Sequence, residues 1–329
     1  MTAADANYAV LDPEISAYVA ALPPGTFDFD EWTLETVAAR RAARAAQPLP
    51  DPPPTSTVFR DVRIDADVAV RIYTPPVATA SRPCVFWIHG GGYISGTALT
   101  IDARLNRWVE MLDCVVVSVD YRLAPEHPFP VPLEDCYTAM TWLFANAEAL
   151  GVDPARVVLS GASAGGGLAA AVALLARDRV GPPLAHQVLL YPMLDDRRTT
   201  RSSGMNGTPV WGRPANALGW RAYLGTGDPE AQVHPYAAAA RATDLAGLPP
   251  AFVAVGGADL FRDESLAYAA RLLDADVATE VHVYPGGCHG FEVLVPKAAL
   301  SRRFDADLTA ALRRTLHPTL PSLEGSVRS

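Results

Sequence analysis

Residues 156–176 read RVVLSGASAGGGLAAAVALLA. The opening RVVLS is a short, nearly continuous apolar run, as expected of a strand buried on both faces. From Leu168 onward the segment is rich in Ala and Leu and predicts a helix. Between them stands Gly161-Ala162-Ser163-Ala164-Gly165, a GxSxG turn in strand–turn–helix context. A serine on so tight a turn takes strained backbone angles and exposes its hydroxyl. Glycine at 161 and 165 removes the Cβ atoms that would strike the neighbouring strand and helix. The helix that follows points its positive end at the serine, where negative charge would develop during acyl transfer. Ser163 is the expected nucleophile.

Around this turn the chain alternates β-rich and helical runs. Residues 58–64 and 68–73 alternate apolar and polar side chains, as half-exposed strands do. The runs at 84–88, 114–119, 157–159, 188–191, 252–255 and 281–284 are almost wholly apolar. Helical patterns fall around 105–112, 133–150, 168–176, 265–273 and 297–316. The alternation predicts an α/β fold: a mostly parallel eight-stranded sheet flanked by helices. Residues 322–329 read as a frayed end.

Two regions depart from the rhythm. In residues 1–47, Ile15, Tyr18, Val19 and Leu22 recur at helical spacing, and Leu34, Val37 and Ala38 begin a second helix. The proline-rich QPLPDPPPTS, residues 47–56, then predicts an extended connector. Residues 196–235 carry Gly, Pro, Arg and two tryptophans without a strand pattern. An insertion after a strand's C-terminal end lies above the ligand crevice of an α/β sheet. The expected organisation is therefore a helical cap made of 1–47 and 196–235 over a catalytic unit made of 48–195 and 236–329. Tyr93, Met205, Trp211 and Trp220 are the expected pocket lining.

Composition narrows the class. The 329 residues hold 27 Lys and Arg against 36 Asp and Glu, a net charge of −9 that disfavours nucleic acid as a partner. Four dispersed cysteines make no disulfide framework. The N-terminus lacks a basic segment followed by an apolar one, and no apolar run nears the ~18 residues of a membrane span. A cytoplasmic protein is expected.

Two further turns supply chemistry. The strand at 84–88 ends in His89-Gly90-Gly91-Gly92-Tyr93, where unhindered glycine amides can meet a nascent oxyanion. The Ala164 amide, following the nucleophile, is another expected donor. His89 reads as an organiser of this loop rather than a base. Of the seven histidines, His289 sits in PGGCHGF after the last strand, where a base is needed. His282 lies within a strand, and His127, His186, His234 and His317 lack such context. Asp259 leaves the preceding strand in GGAD and is the expected partner of His289. Asp263 and Glu264 read as the acidic first turn of the next helix. Cys288 reads as a small buried filler.

These motifs together resemble the hormone-sensitive-lipase-like family of α/β-hydrolase esterases, the bacterial family IV. The likeness runs from about Arg82 to Phe291 and rests on HGGG (89–92), DYRLAPEHPFP (120–130), LEDCYTAMTWL (133–143), GASAGGG (161–167), DLFRDE (259–264) and CHGF (288–291). It implies the α/β-hydrolase fold, with Ser163, Asp259 and His289 as catalytic residues and Gly91, Gly92 and Ala164 as the oxyanion hole. YRLAPE would shape the floor beside the site. One departure is Ala162, where the family usually has Asp or Thr, so a side-chain hydrogen bond at the elbow is missing. The expected activity is hydrolysis of short-to-medium acyl esters through an acyl-enzyme. The alternatives are an amide, lactone or specialised-ester hydrolase, or a non-catalytic ligand binder. The expected partner is a small-molecule ester. No metal or organic cofactor is expected, and homodimer formation is left open.

Overall fold

Each of the eight β-rich runs becomes a strand of one sheet in a computed structural model that describes residues 9–23, 25–46, 55–77, 81–225 and 232–318. The strands are β1 (Val58–Arg63), β2 (Ala69–Thr74), β3 (Arg82–Ile88), β4 (Val115–Asp120), β5 (Val152–Ala162), β6 (His186–Leu190), β7 (Ala251–Gly256) and β8 (Thr279–Tyr284). Their order is β1-β2-β4-β3-β5-β6-β7-β8. β2 runs antiparallel to both neighbours, and the pairings from β4 to β8 are parallel.

The continuous apolar runs are continuous because both faces are covered. Along β3, Val85 and Trp87 enter one core while Phe86 and Ile88 enter the other. On β4, Val116 separates from Val115 and Val117 in the same way. One face takes α3 (Asp102–Leu112), through Leu105 and Trp108, and α9 (Ala299–Leu316), through Phe304 and Leu312. The other takes α4 (Val131–Ala145), α5 (Ala164–Asp178) and α7 (Arg262–Asp274), through Met140, Leu174 and Tyr268. β1 has one neighbour and is mostly exposed, which is why its run alternates.

Two boundaries differ from the sequence pattern, and both matter locally. α4 stops at Ala145 rather than Leu150, because the chain turns through Gly151 at φ 65° to enter β5. β5 extends to Ala162 and α5 starts at Ala164, so Ser163 alone makes the turn.

The N-terminal segment contributes α1 (Pro13–Ala21), capped by the Asp12 carboxylate on the amides of Glu14 and Ile15, and α2 (Val37–Ala45). The insertion carries α6 (Arg213–Leu224), which ends at Gly225 in a left-handed conformation, and no strand among its described residues. The two segments are joined. Asp30 Oδ1 accepts the Ala215 amide at 3.1 Å, so an N-terminal carboxylate caps α6 from 185 residues away. Residues 47–54, most of the expected connector, and the end at 322–329 lie outside the described residues. Among the described residues no helix is long and apolar enough to cross a membrane. A four-residue helix, α8 (Phe291–Leu294), links the turn after β8 to α9.

Candidate active site

Ser163 sits between β5 and α5 at φ 58°, ψ −123°, a conformation that costs a non-glycine residue on the order of 1–3 kcal/mol. Its surroundings impose it. The Ser163 amide donates to Leu190 O at 2.9 Å, and its carbonyl accepts the amides of Gly167 and Met193 at 3.0 Å. A Cβ on Gly161 would lie 2.2 Å from Gly165 O, and one on Gly165 would lie 2.1 Å from Ile88 O. Ala162 brings no polar side chain, so main-chain bonds alone hold the elbow.

The turn after β8 delivers His289. Its Nε2 lies 2.9 Å from Ser163 Oγ, and its Nδ1 lies 2.9 Å from Asp259 Oδ2. A carboxylate oxygen accepts, so Nδ1 donates to Asp259 and Nε2 is left to accept from the serine hydroxyl. The other Asp259 oxygen takes the Phe261 amide at 2.9 Å. All three side chains are buried, with Ser163 6% and His289 7% exposed.

Asp263 and Glu264 lie in the first turn of α7 and do not bond His289. Asp263 receives the Ser202 amide at 2.7 Å. Burial opposes its charge, but Arg262 and Ser202 hold its carboxyl below the usual range. Glu264 accepts the amides of Leu194 and Asp195, and burial pushes its carboxyl well above the usual range. It thereby fixes the chain leaving β6, a role the sequence does not signal.

The glycine loop meets the elbow directly. A Cβ on Gly90 would stand 2.9 Å from Ala162 O and 3.2 Å from Ser163 Cβ. Gly91, Gly92 and Tyr93 all adopt positive φ (115°, 60° and 66°), curling the loop so that Gly91 O accepts the amides of Ile94 and Ser95. Among the described residues the amides of Gly91, Gly92 and Ala164 donate no hydrogen bond. His89 does organise this loop. Its Nδ1 donates to Gly90 O at 2.7 Å, and its ring stacks on Tyr121 at 4.2 Å. Burial lowers its pKa. Tyr121 OH in turn donates to His89 O, Ala124 N donates to Tyr93 O, and Arg122 pairs with Asp135. The YRLAPE stretch thus underlies the loop.

The four expected pocket residues are all buried. Tyr93 stacks on Tyr223 at 4.0 Å, with Trp220 5.5 Å away, and donates to Met193 O. Trp211 lies against Gly92, whose Cβ would stand 2.1 Å from the indole ring. Met205 follows a short turn whose first residue, Ser202, accepts its amide. A cavity of about 350 Å³ lies between the N-terminal segment and the insertion. It is lined by Val19, Leu22, Phe27 and Asp30 on one side and Val210 and Gly212 on the other. Both sequence neighbours of Trp211 line it, so its backbone borders the cavity and its ring reaches the glycine loop.

Burial and the nearby Asp259 charge push the Cys288 thiol up to about 12, so it stays protonated. Among the described residues no cluster of three or more His, Cys, Asp or Glu could hold a metal.

The family model for the alpha/beta hydrolase fold matches residues 85–293. Carboxylesterase NlhH of Mycobacterium tuberculosis is 39% identical over 258 residues, 76% of this chain and 79% of that protein. Arylesterase of Saccharolobus solfataricus is 32% identical over 287 residues, covering 85% and 92%. Among solved structures, Bacterial Heroin Esterase superposes with a TM-score of 0.82 at 41% identity, covering 93% of this chain and 98% of that one. With the sheet order, the elbow and the glycine loop in place, these likenesses mean that the chain belongs to the alpha/beta hydrolase fold family, in its hormone-sensitive-lipase-like group.

Proposed function

We propose that the protein is a serine carboxylesterase for short-to-medium acyl esters, with Ser163 as nucleophile, His289 as base and Asp259 as its orienting acid. Its relatives include carboxylesterases and esterases, and the chain is a carboxylic ester hydrolase. The observation that carries the finer reading is the unbroken line Asp259–His289–Ser163, with both contacts at 2.9 Å, beside three unused backbone amides.

In this reading Ser163 Oγ attacks the ester carbonyl carbon and its proton passes to His289 Nε2. The oxyanion is held by the amides of Gly91, Gly92 and Ala164. The C–O bond to the alcohol breaks, and His289 returns the proton to the departing oxygen. Water then attacks the acyl-enzyme, losing its proton to His289, the bond from Ser163 Oγ to the acyl carbon breaks as His289 returns that proton to Oγ, and the acid leaves.

Substrate size follows from the roof. We take residues 1–47 and 196–235 as that roof. Trp211 against Gly92 closes one side of the glycine loop. Each methylene gains ~0.8 kcal/mol only while apolar wall remains to receive it. Activity should therefore peak at roughly C2 to C8 acyl chains.

The test is kcat/KM for p-nitrophenyl esters from acetate to palmitate, with Ser163→Ala as control. The variant should lose at least about 10⁴-fold in activity at an unchanged melting temperature. Retention of more than a few per cent refutes Ser163 as nucleophile. A steady rise to palmitate refutes the bounded pocket.

A further inference from the structure

A buried group beside His289 takes no part in the steps above. Glu292, on α8 three residues after His289, has a fully buried side chain. Its Oε1 accepts the Tyr191 hydroxyl at 2.7 Å and Arg104 Nη1 at 2.9 Å, while Oε2 is buried without a partner. Arg104 comes from α3 on the covered face of the sheet and reaches Asp305 of α9 at 3.0 Å with its other nitrogen. Taking such a pair out of water is costly, and a hydrophobic substitute of the same shape is often as stable. A second use for the arrangement is therefore worth seeking.

Tyr191 supplies it. It stands just past the end of β6 at φ 36°, an uncommon conformation for a bulky residue, with its amide donating to Ala254 O. Its neighbours hold the elbow: Leu190 O accepts the Ser163 amide and Met193 N donates to the Ser163 carbonyl. Its ring meets that of His289 edge to face, with centroids 4.9 Å apart and planes at 71°. Phe261 makes a similar contact with the imidazole at 5.2 Å and 80°. Burial and the Glu292 charge push the Tyr191 phenol well above its usual range, so it donates to Glu292 at every working pH.

We propose that Tyr191, anchored through its hydroxyl to the buried Glu292–Arg104 pair, is a positioning residue that keeps the His289 ring aimed while Ser163 carries the acyl group. The inference rests on His289 being the base. In the free enzyme both ring nitrogens are hydrogen-bonded, which fixes the imidazole. Once Ser163 Oγ is esterified it has no proton to give, and the bond to Nε2 is gone. Only Asp259 and the two aromatic contacts then hold the ring that must activate water. A loosened ring at that stage slows deacylation more than acylation, because small misplacements of a base cost rate steeply.

The experiment is Tyr191→Phe, which removes one oxygen and keeps the ring. With p-nitrophenyl acetate, kcat should fall about tenfold. KM should fall with it, leaving kcat/KM within about threefold, since kcat/KM reports acylation. A burst of p-nitrophenolate, one per site, should appear as acyl-enzyme accumulates. Glu292→Gln should act in the same direction, and the double variant should be no slower than the slower single. Unchanged kcat with a lowered melting temperature in Tyr191→Phe would make the group merely structural and overturn the proposal. Equal losses in kcat and kcat/KM would also overturn it. A fluorophosphonate label checks the foundation separately. A label on Ser163 with no burst refutes this inference alone, and a label on another serine refutes the catalytic reading as well.

Discussion

The elbow and the roof meet at Gly92, yet they are built on different terms. At the elbow and the turns that flank it, backbone touches backbone: Gly161 against Gly165, Gly165 against Ile88, and, after β7, Gly256 against Gly287 at 2.1 Å from where a Cβ would be. In the roof, the contacts run through side chains. Tyr93, Trp220 and Tyr223 form one aromatic group, Phe29 lies 5.3 Å from Trp211, and Arg41 spans from α2 to Ile94 O, Ala124 O and Glu126. Backbone contacts cannot re-pack, because neither partner has a rotamer to change. Aromatic contacts can trade volume with the space beside them. The elbow is therefore intolerant of a single methyl group, and on the proposed reading the roof is where specificity would change without loss of the enzyme.

The severest challenge to that contrast is Gly165→Ala. Its new Cβ would stand 2.1 Å from Ile88 O and 2.4 Å from His89 O, both backbone. It should destabilise by about 3 kcal/mol or more and remove activity, seen as poor soluble yield or a sharp fall in the denaturant midpoint. A stable, active variant would show that the elbow is softer than its contacts imply.

The next largest effect separates two carboxylates four residues apart, Asp259 before α7 and Asp263 in its first turn. Asp259→Asn should lower kcat by about 10⁴, because the amide favours the wrong imidazole tautomer. Asp263→Asn should cost less than about tenfold in rate. Its carboxyl, held below the usual range in the fold, contributes stability that is fully present above its ordinary pKa and is lost as pH falls through the lowered one. The variant's deficit in melting temperature should therefore shrink in acid. Similar rate losses for the two variants would move the acid role away from Asp259.

The smallest effect belongs to the roof. Trp211→Ala should leave kcat/KM for acetate within about fivefold and shift the preferred acyl chain upward by a few carbons, as volume opens beside Gly92. The readout is the same p-nitrophenyl ester series. A uniform loss at every chain length would mean that Trp211 supports the glycine loop and does not bound the substrate.

The same contrast explains what the sequence could say. Gly161, Gly165, Gly91 and Gly92 are legible because each marks a local backbone demand that glycine alone meets. Asp259 and His289 are legible because the apolar runs before them end where a strand must end. The cavity is not. Its walls come from Val19 and Phe27 on one side and Val210 and Gly212 on the other, with no periodicity linking them. The Asp30 cap on α6 spans 185 residues and leaves no trace near Arg213. Tyr93 follows the glycine loop at positive φ, and its ring stacks on Tyr223. Glu264 looks like a dipole-stabilising acid in a first turn, and only its burial reveals that it clamps Leu194 and Asp195.

The N-terminal segment is tied to more than the roof. The Asp12 amide donates to Gly286 O at 2.9 Å, and Gly286 packs so closely that a Cβ there would stand 2.4 Å from Asp12 N. Gly286 lies three residues before His289, within the same turn. Peeling away α1 by heat, mild denaturant or a protease would slacken the turn that carries His289 while the eight strands stayed paired. On the proposed reading, loss of that one fastening would silence the enzyme before it unfolds it.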